Sequence, residues 1–340
     1  EQLINLKNMI EENESRILGA LSSDLNKSDM EGYLTEVGFV LNELDYMIKK
    51  LDRFARPQIV RTPIAYFGSK SYIVPEPYGV VLILSPWNYP FQLIIAPLIG
   101  AIAAGNCAIL KPSEYSPHTT ALISELISQT FDDAYITVVE GEIPETQALL
   151  KEKFDYIFFT GSIAVGKIVM EAASKNLTPV TLELGGKSPC IVDSNIDVER
   201  TARRIAWGKF LNAGQTCVAP DYLLIQEDIK RELLAEFKRA IYEFYGEDPK
   251  KSEHYVRIIN KRHFDRLTNL LDNGDIVLGG STDSKELYIA PTILENVDLD
   301  SELMQEEIFG PLLPIIEYRE IKEAISFIND RPKPLALYLF

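Results

Sequence analysis

Cys217 sits in the stretch NAGQTCVAPD (212–221), among small and polar residues rather than inside an apolar run. A buried structural thiol has the opposite setting, whereas a nucleophile needs room for the group it attacks. The usual activating base is a histidine, and the chain has only His118, His254 and His263. None of them falls in a segment with other site-like features. Either Cys217 is inert, or a group other than histidine activates it.

Five further stretches carry residues of chemical interest. In SPWNYP (85–90), Pro86 and Pro90 fix φ on both sides of Trp87-Asn88-Tyr89. Such a turn either packs its tryptophan or aims the Asn88 amide into a pocket as an oxyanion donor. In LKPSE (110–114), Lys111 could donate to a ribose diol and Glu114 accept from it; the alternative is a strand-to-helix turn with Ser113 in a cap. FFTGSIAVGKIV (158–169) has the Gly161, Gly166 and Lys167 of a phosphate loop. Ile168 stands where a magnesium-binding Ser or Thr belongs, which argues against a nucleoside triphosphatase. A strand, then Thr-Gly-Ser162, then a helix start still favours an anion through backbone N–H groups and the helix dipole. No GxGxxG occurs, so the ordinary dinucleotide fingerprint is absent. In TLELGGKSP (181–189), Glu183 ends a strand before Gly185-Gly186, a turn that lets backbone approach a ligand. Its place at the end of a buried strand weighs against a plain surface glutamate. EEIFGP (306–311) sets two acids before Phe309, and a solvated acidic pair is the simplest account of it.

The elements that must position these residues follow from periodicity. Residues 1–55 predict two long helices, with Leu3, Leu6, Ile10, Ile17 and Leu21 in one and Tyr33, Val37, Leu41, Leu44 and Met47 in the other. Next, β-prone residues flank Gly68-Ser69 in a hairpin pattern too short to bury its own faces. From Gly79, apolar strands (80–84, 107–111, 134–139, 155–160, 179–184) alternate with helical stretches, the pattern of a doubly wound parallel sheet. Ligands bind such sheets beyond the carboxyl ends of the strands, where the motifs lie. A second alternating region starts near Lys187, with a helix expected across 254–274 and a strand at 275–280. The fold class is therefore α/β: a doubly wound parallel sheet, a second α/β domain and a small hairpin.

Composition narrows the function. Of 340 residues, 46% are hydrophobic and 25% charged, as in ordinary globular proteins. A formal charge of −16 disfavours nucleic acid or an anionic membrane as main partner. The three cysteines have no metal-type spacing and cannot pair evenly, so we expect no metal and a reducing, cytoplasmic setting. No apolar run reaches the ~18 residues of a membrane span. The sequence closes on the strand-like PLALYLF, an edge that should be paired or covered, so further chain is expected beyond Phe340.

Taken together, SPWNYP, LKPSE, FTGSIAVGK, LELGGKSP, NAGQTCVAPD and EEIFGP stand in the order and approximate spacing of the aldehyde dehydrogenase superfamily. PVTLELGGKSPC, RRIAWGKFLNAGQTCVAPDY, EFYGED and PLALY resemble its class 3 branch most closely. The resemblance implies an NAD-binding domain (1–58 and 78–186), a β-hairpin oligomerisation arm (59–77) and a catalytic domain (187–340) that is C-terminally incomplete. It further implies a homodimer and irreversible, NAD(P)-dependent oxidation of a medium- or long-chain aliphatic or aromatic aldehyde. Carried over by position, Cys217 is the nucleophile, Glu183 the general base and Asn88, with the Cys217 N–H, the oxyanion donor. Cofactor contacts fall on Trp87, Lys111, Ser113, Glu114, Gly161, Ser162, Gly166, Leu184, Gly185, Glu307 and Phe309, and the substrate pocket on Tyr89 and Thr216. Glu114 should repel a 2′-phosphate, so NAD is expected ahead of NADP. One departure is Ile163, which replaces the Thr of many relatives. Two further readings are an acylating dehydrogenase that passes its thioester to coenzyme A, which Glu183 argues against, and an inactive NAD-binding scaffold. A histidine-dependent thiol hydrolase is weaker, since no histidine falls in the motifs.

Overall fold

The computed structural model describes all 340 residues, and they group into two compact units. One comprises residues 1–21 and 29–183, the other residues 22–28 and 184–340. Residues 22–28 belong with the second unit, where the Leu25 carbonyl accepts from the Arg257 N–H.

The first unit begins with α1 (Gln2–Glu12), α2 (Glu14–Leu25), the short α3 (Asp29–Gly32) and α4 (Gly38–Phe54). The expected first helix is thus broken at Asn13. The second runs from 29 to 54 through a π-helical turn at Tyr33–Val37. That wider turn directs Glu36, fully buried, at the start of a later helix: its carboxylate accepts from the backbone N–H of Phe91 (2.8 Å) and Gln92 (3.2 Å). β1 (Gln58–Val60) and β2 (Ser71–Ile73) pair antiparallel. The turn is not the tight one expected at Gly68-Ser69. Residues 64–66 form a 3-10 turn, so the strands lie further apart in sequence.

β3 (Val80–Leu84), β4 (Cys107–Lys111), β5 (Ile136–Val138), β6 (Tyr156–Gly161) and β7 (Val180–Leu184) form one sheet in the order β5-β4-β3-β6-β7. β3 is central and parallel to both neighbours, and four of its five residues are buried, which is why it reads as a continuous apolar run. α5 (Gln92–Ala104), α6 (Pro117–Thr130), α7 (Ile143–Leu149) and α8 (Ile163–Ser174) connect these strands. Gly105 (φ 85) closes α5 in the left-handed conformation, as Gly105-Asn106 predicted. Leu6, Ile10, Val40 and Leu44 pack with Ile94 and Leu98 in one core.

The second unit holds β8 (Pro189–Val192), α9 (Val198–Phe210), β9 (Tyr222–Gln226), α10 (Lys230–Tyr245) and α11 (Lys261–Leu270). β10 (Asp275–Leu278), the small pair β11 (Thr282–Asp283) and β12 (Tyr288–Ile289), then β13 (Thr292–Glu295), α12 (Glu302–Gln305), β14 (Leu312–Tyr318), α13 (Ile321–Asn329) and β15 (Tyr338–Leu339) follow. Its main sheet runs β10-β13-β14-β9-β8-β15, parallel except where β10 meets β13. The helix expected across 254–274 shrinks to 261–270, since Tyr255-Val256-Arg257-Ile258-Ile259 is non-helical and buried, apart from a half-buried Arg257. PLALYLF is paired: Tyr338 and Leu339 align with Cys190 and Ile191.

Candidate active site

In the first unit, every motif follows a strand end. The 85–91 turn leaves β3, and Trp87, Asn88, Tyr89 and Phe91 are all buried. Glu36 caps the first turn of α5 immediately beyond it, so a buried carboxylate holds the turn that carries Asn88. Lys111 ends β4 in a buried position and donates to the Pro112 carbonyl (2.8 Å). Burial lowers its pKa, with the Glu114 and Glu145 charges opposing. Ser113 is not the cap of α6. Ser116 precedes the helix and Pro117 opens it, while the Ser113 carbonyl accepts from the Thr120 hydroxyl (2.9 Å). Gly161 ends β6 and leads to Ser162, whose hydroxyl caps α8 by accepting from the Val165 N–H; Gly166 is buried within that helix. Helix backbone N–H groups at an exposed strand end suit a phosphate.

Glu183 differs from expectation. Its side chain is exposed, not embedded in a buried sheet. The cause is topological: β7 is the edge strand, and its residues are at most half-buried.

In the second unit, the loop bearing Cys217 is held in an unusual conformation. Asn212 (φ 52), Ala213 (φ 50) and Gly214 (φ 72) are left-handed in succession. The two non-glycine residues cost about 1–2 kcal/mol each. The buried Gln215 side chain fixes them. Its amide nitrogen donates to the carbonyls of Asn212 and Arg257 (both 3.0 Å), and its oxygen accepts from the Ile259 N–H (3.0 Å). These bonds engage backbone groups of the non-helical segment before α11. Thr216 and Cys217 follow, half-buried, and the Tyr338 hydroxyl donates to the Val218 carbonyl (2.5 Å). The cysteines form no disulfide.

The EEIFGP loop lies against this one. A Cβ on Gly214 would collide with the Gly310 carbonyl, and Phe309 is itself left-handed (φ 51). A Cβ on Gly185 would strike the Glu307 carboxylate, so the Leu184-Gly185-Gly186 turn is shaped around that acid. Burial raises the Glu307 pKa to about 7, against the Gly186 backbone N–H and the nearby lysines, which lower it. A half-buried carboxylate over a glycine turn, two residues before the half-buried Phe309, fits an acceptor for ribose hydroxyls. Glu306 is exposed, as a solvated acid should be.

Beside Glu36, several charged groups held largely away from solvent escaped the sequence analysis. Lys187 and Asp221 form an ion pair, and Lys209, fully buried at the end of α9, has its pKa pushed down to about 8 by burial. Their signal was a charge placed inside an otherwise apolar or glycine-rich motif.

A doubly wound parallel sheet with turns at its strand ends, followed by a second α/β unit that carries a free cysteine, is the architecture of a nucleotide-dependent enzyme. The sequence pattern of the aldehyde dehydrogenase family matches residues 1–340, and the chain belongs to that family. It is 54% identical to the 4,4'-diaponeurosporen-aldehyde dehydrogenase of Staphylococcus aureus over 342 residues, covering 100% of this chain and 74% of that protein. It is 51% identical to mouse aldehyde dehydrogenase family 3 member A2 (100% and 70%) and 54% to the rat dimeric NADP-preferring aldehyde dehydrogenase (100% and 75%). The solved substrate-bound state of Staphylococcus aureus AldH superposes with a TM-score of 0.98 at 53% identity, covering 100% of this chain and 75% of that one. The chain is an oxidoreductase acting on the aldehyde group, of the class 3 type that its motifs resemble.

Proposed function

We propose that Cys217 attacks the aldehyde carbonyl, and the observation that carries this is the loop around it. A strained run held by a fully engaged glutamine amide is a device for fixing a reactive side chain, since strain persists where surroundings over-determine it. The thiol sulfur bonds to the carbonyl carbon, and the oxyanion is held by the Asn88 amide and the Cys217 N–H. Glu183 takes a proton from the thiol and later from water; its exposed side chain suits exchange of that proton with solvent. A nicotinamide cofactor, when bound, supplies the hydride acceptor that lets the thiohemiacetal become a thioester. Water activated by Glu183 then releases the acid from Cys217.

Lys111 and Glu114 would hold the adenosine ribose, with Trp87 and Ser113 lining the same side. Gly161, Ser162 and Gly166 would hold the pyrophosphate, and Leu184, Gly185, Glu307 and Phe309 the nicotinamide half. The Glu114 charge supports NAD, while the name of the rat relative supports acceptance of NADP. The buried Tyr89 beside Asn88, with Thr216, supports an apolar aldehyde, and the Staphylococcus aureus relative is named for 4,4'-diaponeurosporen-aldehyde. The rat relative's name also supports a homodimer, and three cysteines without a disulfide suit a reducing cytoplasm.

Stopped-flow mixing with NAD and a panel of aldehydes of increasing chain length should give an NADH burst that Cys217→Ser abolishes. Glu183→Gln should slow the burst while keeping its amplitude, and accumulate an acyl adduct on Cys217, visible by intact mass. Normal turnover by Cys217→Ser ends the nucleophile assignment, and normal steady-state turnover by Glu183→Gln ends the base assignment.

A further inference from the structure

Lys187 and Asp221 take no part in the chemistry above, yet both touch the loop that carries Glu307. Lys187 follows the glycine turn, and Asp221 stands four residues after Cys217. Their side chains are only 12% and 5% exposed. The Lys187 ammonium donates to Asp221 and also to the carbonyls of Leu303 and Glu306, both at 2.8 Å. The other Asp221 oxygen accepts from the Ile308 N–H at 2.9 Å. Arg266 closes the set by donating to the Ile308 carbonyl at 2.5 Å. Peptide groups on both sides of Glu307 are therefore pinned, as is the one leading into left-handed Phe309.

A buried ion pair is weak evidence for stability, because desolvation of two charges offsets their attraction. Here the pair's remaining hydrogen-bonding capacity goes to one loop rather than to the core, which points to geometry as its role. We propose that Lys187 and Asp221 are positioning residues: together they fix the 306–309 segment so that Glu307 and Phe309 meet the nicotinamide half of the cofactor. The same pair ties that segment to the Gly185-Gly186 turn and to the Cys217 loop. The inference rests on the assignment of Glu307 and Phe309 above.

The test compares Lys187→Met, Lys187→Arg, Asp221→Asn and the Lys187→Met/Asp221→Asn double variant with Glu307→Gln in the complete gene product. Two readouts are taken: NAD affinity by titration calorimetry, and cofactor-free hydrolysis of p-nitrophenyl acetate, an acyl transfer to the thiol that needs no hydride acceptor. Lys187→Met should weaken NAD binding by about tenfold or more, with a markedly smaller loss of ester hydrolysis. Lys187→Arg should recover most of the affinity. The double variant should be no worse than the worse single variant, as expected of two residues acting as one unit. It also removes both charges of the pair at once and so leaves neither of them without the other, and it carries the measurement if either single variant fails to fold. Equal losses in both readouts, or unchanged NAD affinity in variants that fold, overturn the positioning role while Glu307→Gln still binds NAD weakly. If Glu307→Gln binds NAD as tightly as the wild type, the assignment of Glu307 falls first and the positioning role with it.

Discussion

At the scale of single residues, Glu307 is an acid kept from water by its own fold. Burial lifts its pKa to about 7 from an ordinary carboxylate value, so the folded chain holds a proton that the unfolded chain releases. The sign of the linkage follows directly. The contribution to stability is fully present below the unfolded pKa of about 4.5 and is lost as pH rises through about 7. A shift of that size corresponds to about 3 kcal/mol. Glu307→Gln cannot ionise, so it should match the wild type below pH 4.5, melt progressively higher than it as pH rises from 4.5 to about 7, and keep a level gap above that. Calorimetric melting at intervals across that range reads the difference. A gap that stays constant with pH means that Glu307 titrates normally in the fold. The same substitution should weaken NAD binding, so position 307 is one where function is kept at the expense of stability.

At the scale of elements, the 211–217 loop depends on Gln215 more than on its own conformational preferences. Gln215→Ala removes two donors and an acceptor from buried backbone groups at Asn212, Arg257 and Ile259. A loss of about 2–4 kcal/mol is expected from unsatisfied buried groups, read as a lower melting temperature together with slower alkylation of Cys217. Unaltered alkylation would show that the loop holds its shape without Gln215. Periodicity made most of the fold legible: strands at 80–84, 107–111 and 222–226 and their helices could be placed because local residues set them. The motifs likewise marked the turns after the strands. What stayed hidden depends on partners distant in sequence. The 254–260 segment reads as helix in the sequence, yet it is non-helical and its Arg257 carbonyl and Ile259 N–H bond to the Gln215 side chain instead. Asp221 gains its meaning from Ile308, 87 residues away, and Lys187 from Glu306, 119 away. Edge position, which leaves Glu183 exposed, is a property of the assembled sheet and not of the strand.

At the scale of the whole molecule, the β1–β2 arm presents apolar surface with nothing of its own to cover it. Ile64 and Phe67 are 92% and 96% exposed, and Ile59 is 77%. Contiguous exposed apolar residues mark interaction sites, and a two-stranded ribbon is marginal without a partner. Charge says which partner it fits. Residues 56–75 carry Arg56, Arg61 and Lys70 and no acid, whereas the chain as a whole is −16. A basic, apolar arm is complementary to the acidic surface of a second copy of this chain, and such complementarity steers association. For the homodimer proposed above, Ile64→Asp/Phe67→Asp should therefore give monomer in sedimentation velocity, and rising salt should weaken association of the wild type in the same direction. Because both side chains are exposed, the variant should keep its subunit stability within about 0.5 kcal/mol. A double variant that still sediments as a dimer would place the subunit interface elsewhere. Dissociation together with a large fall in subunit stability would show instead that the arm packs on its own chain.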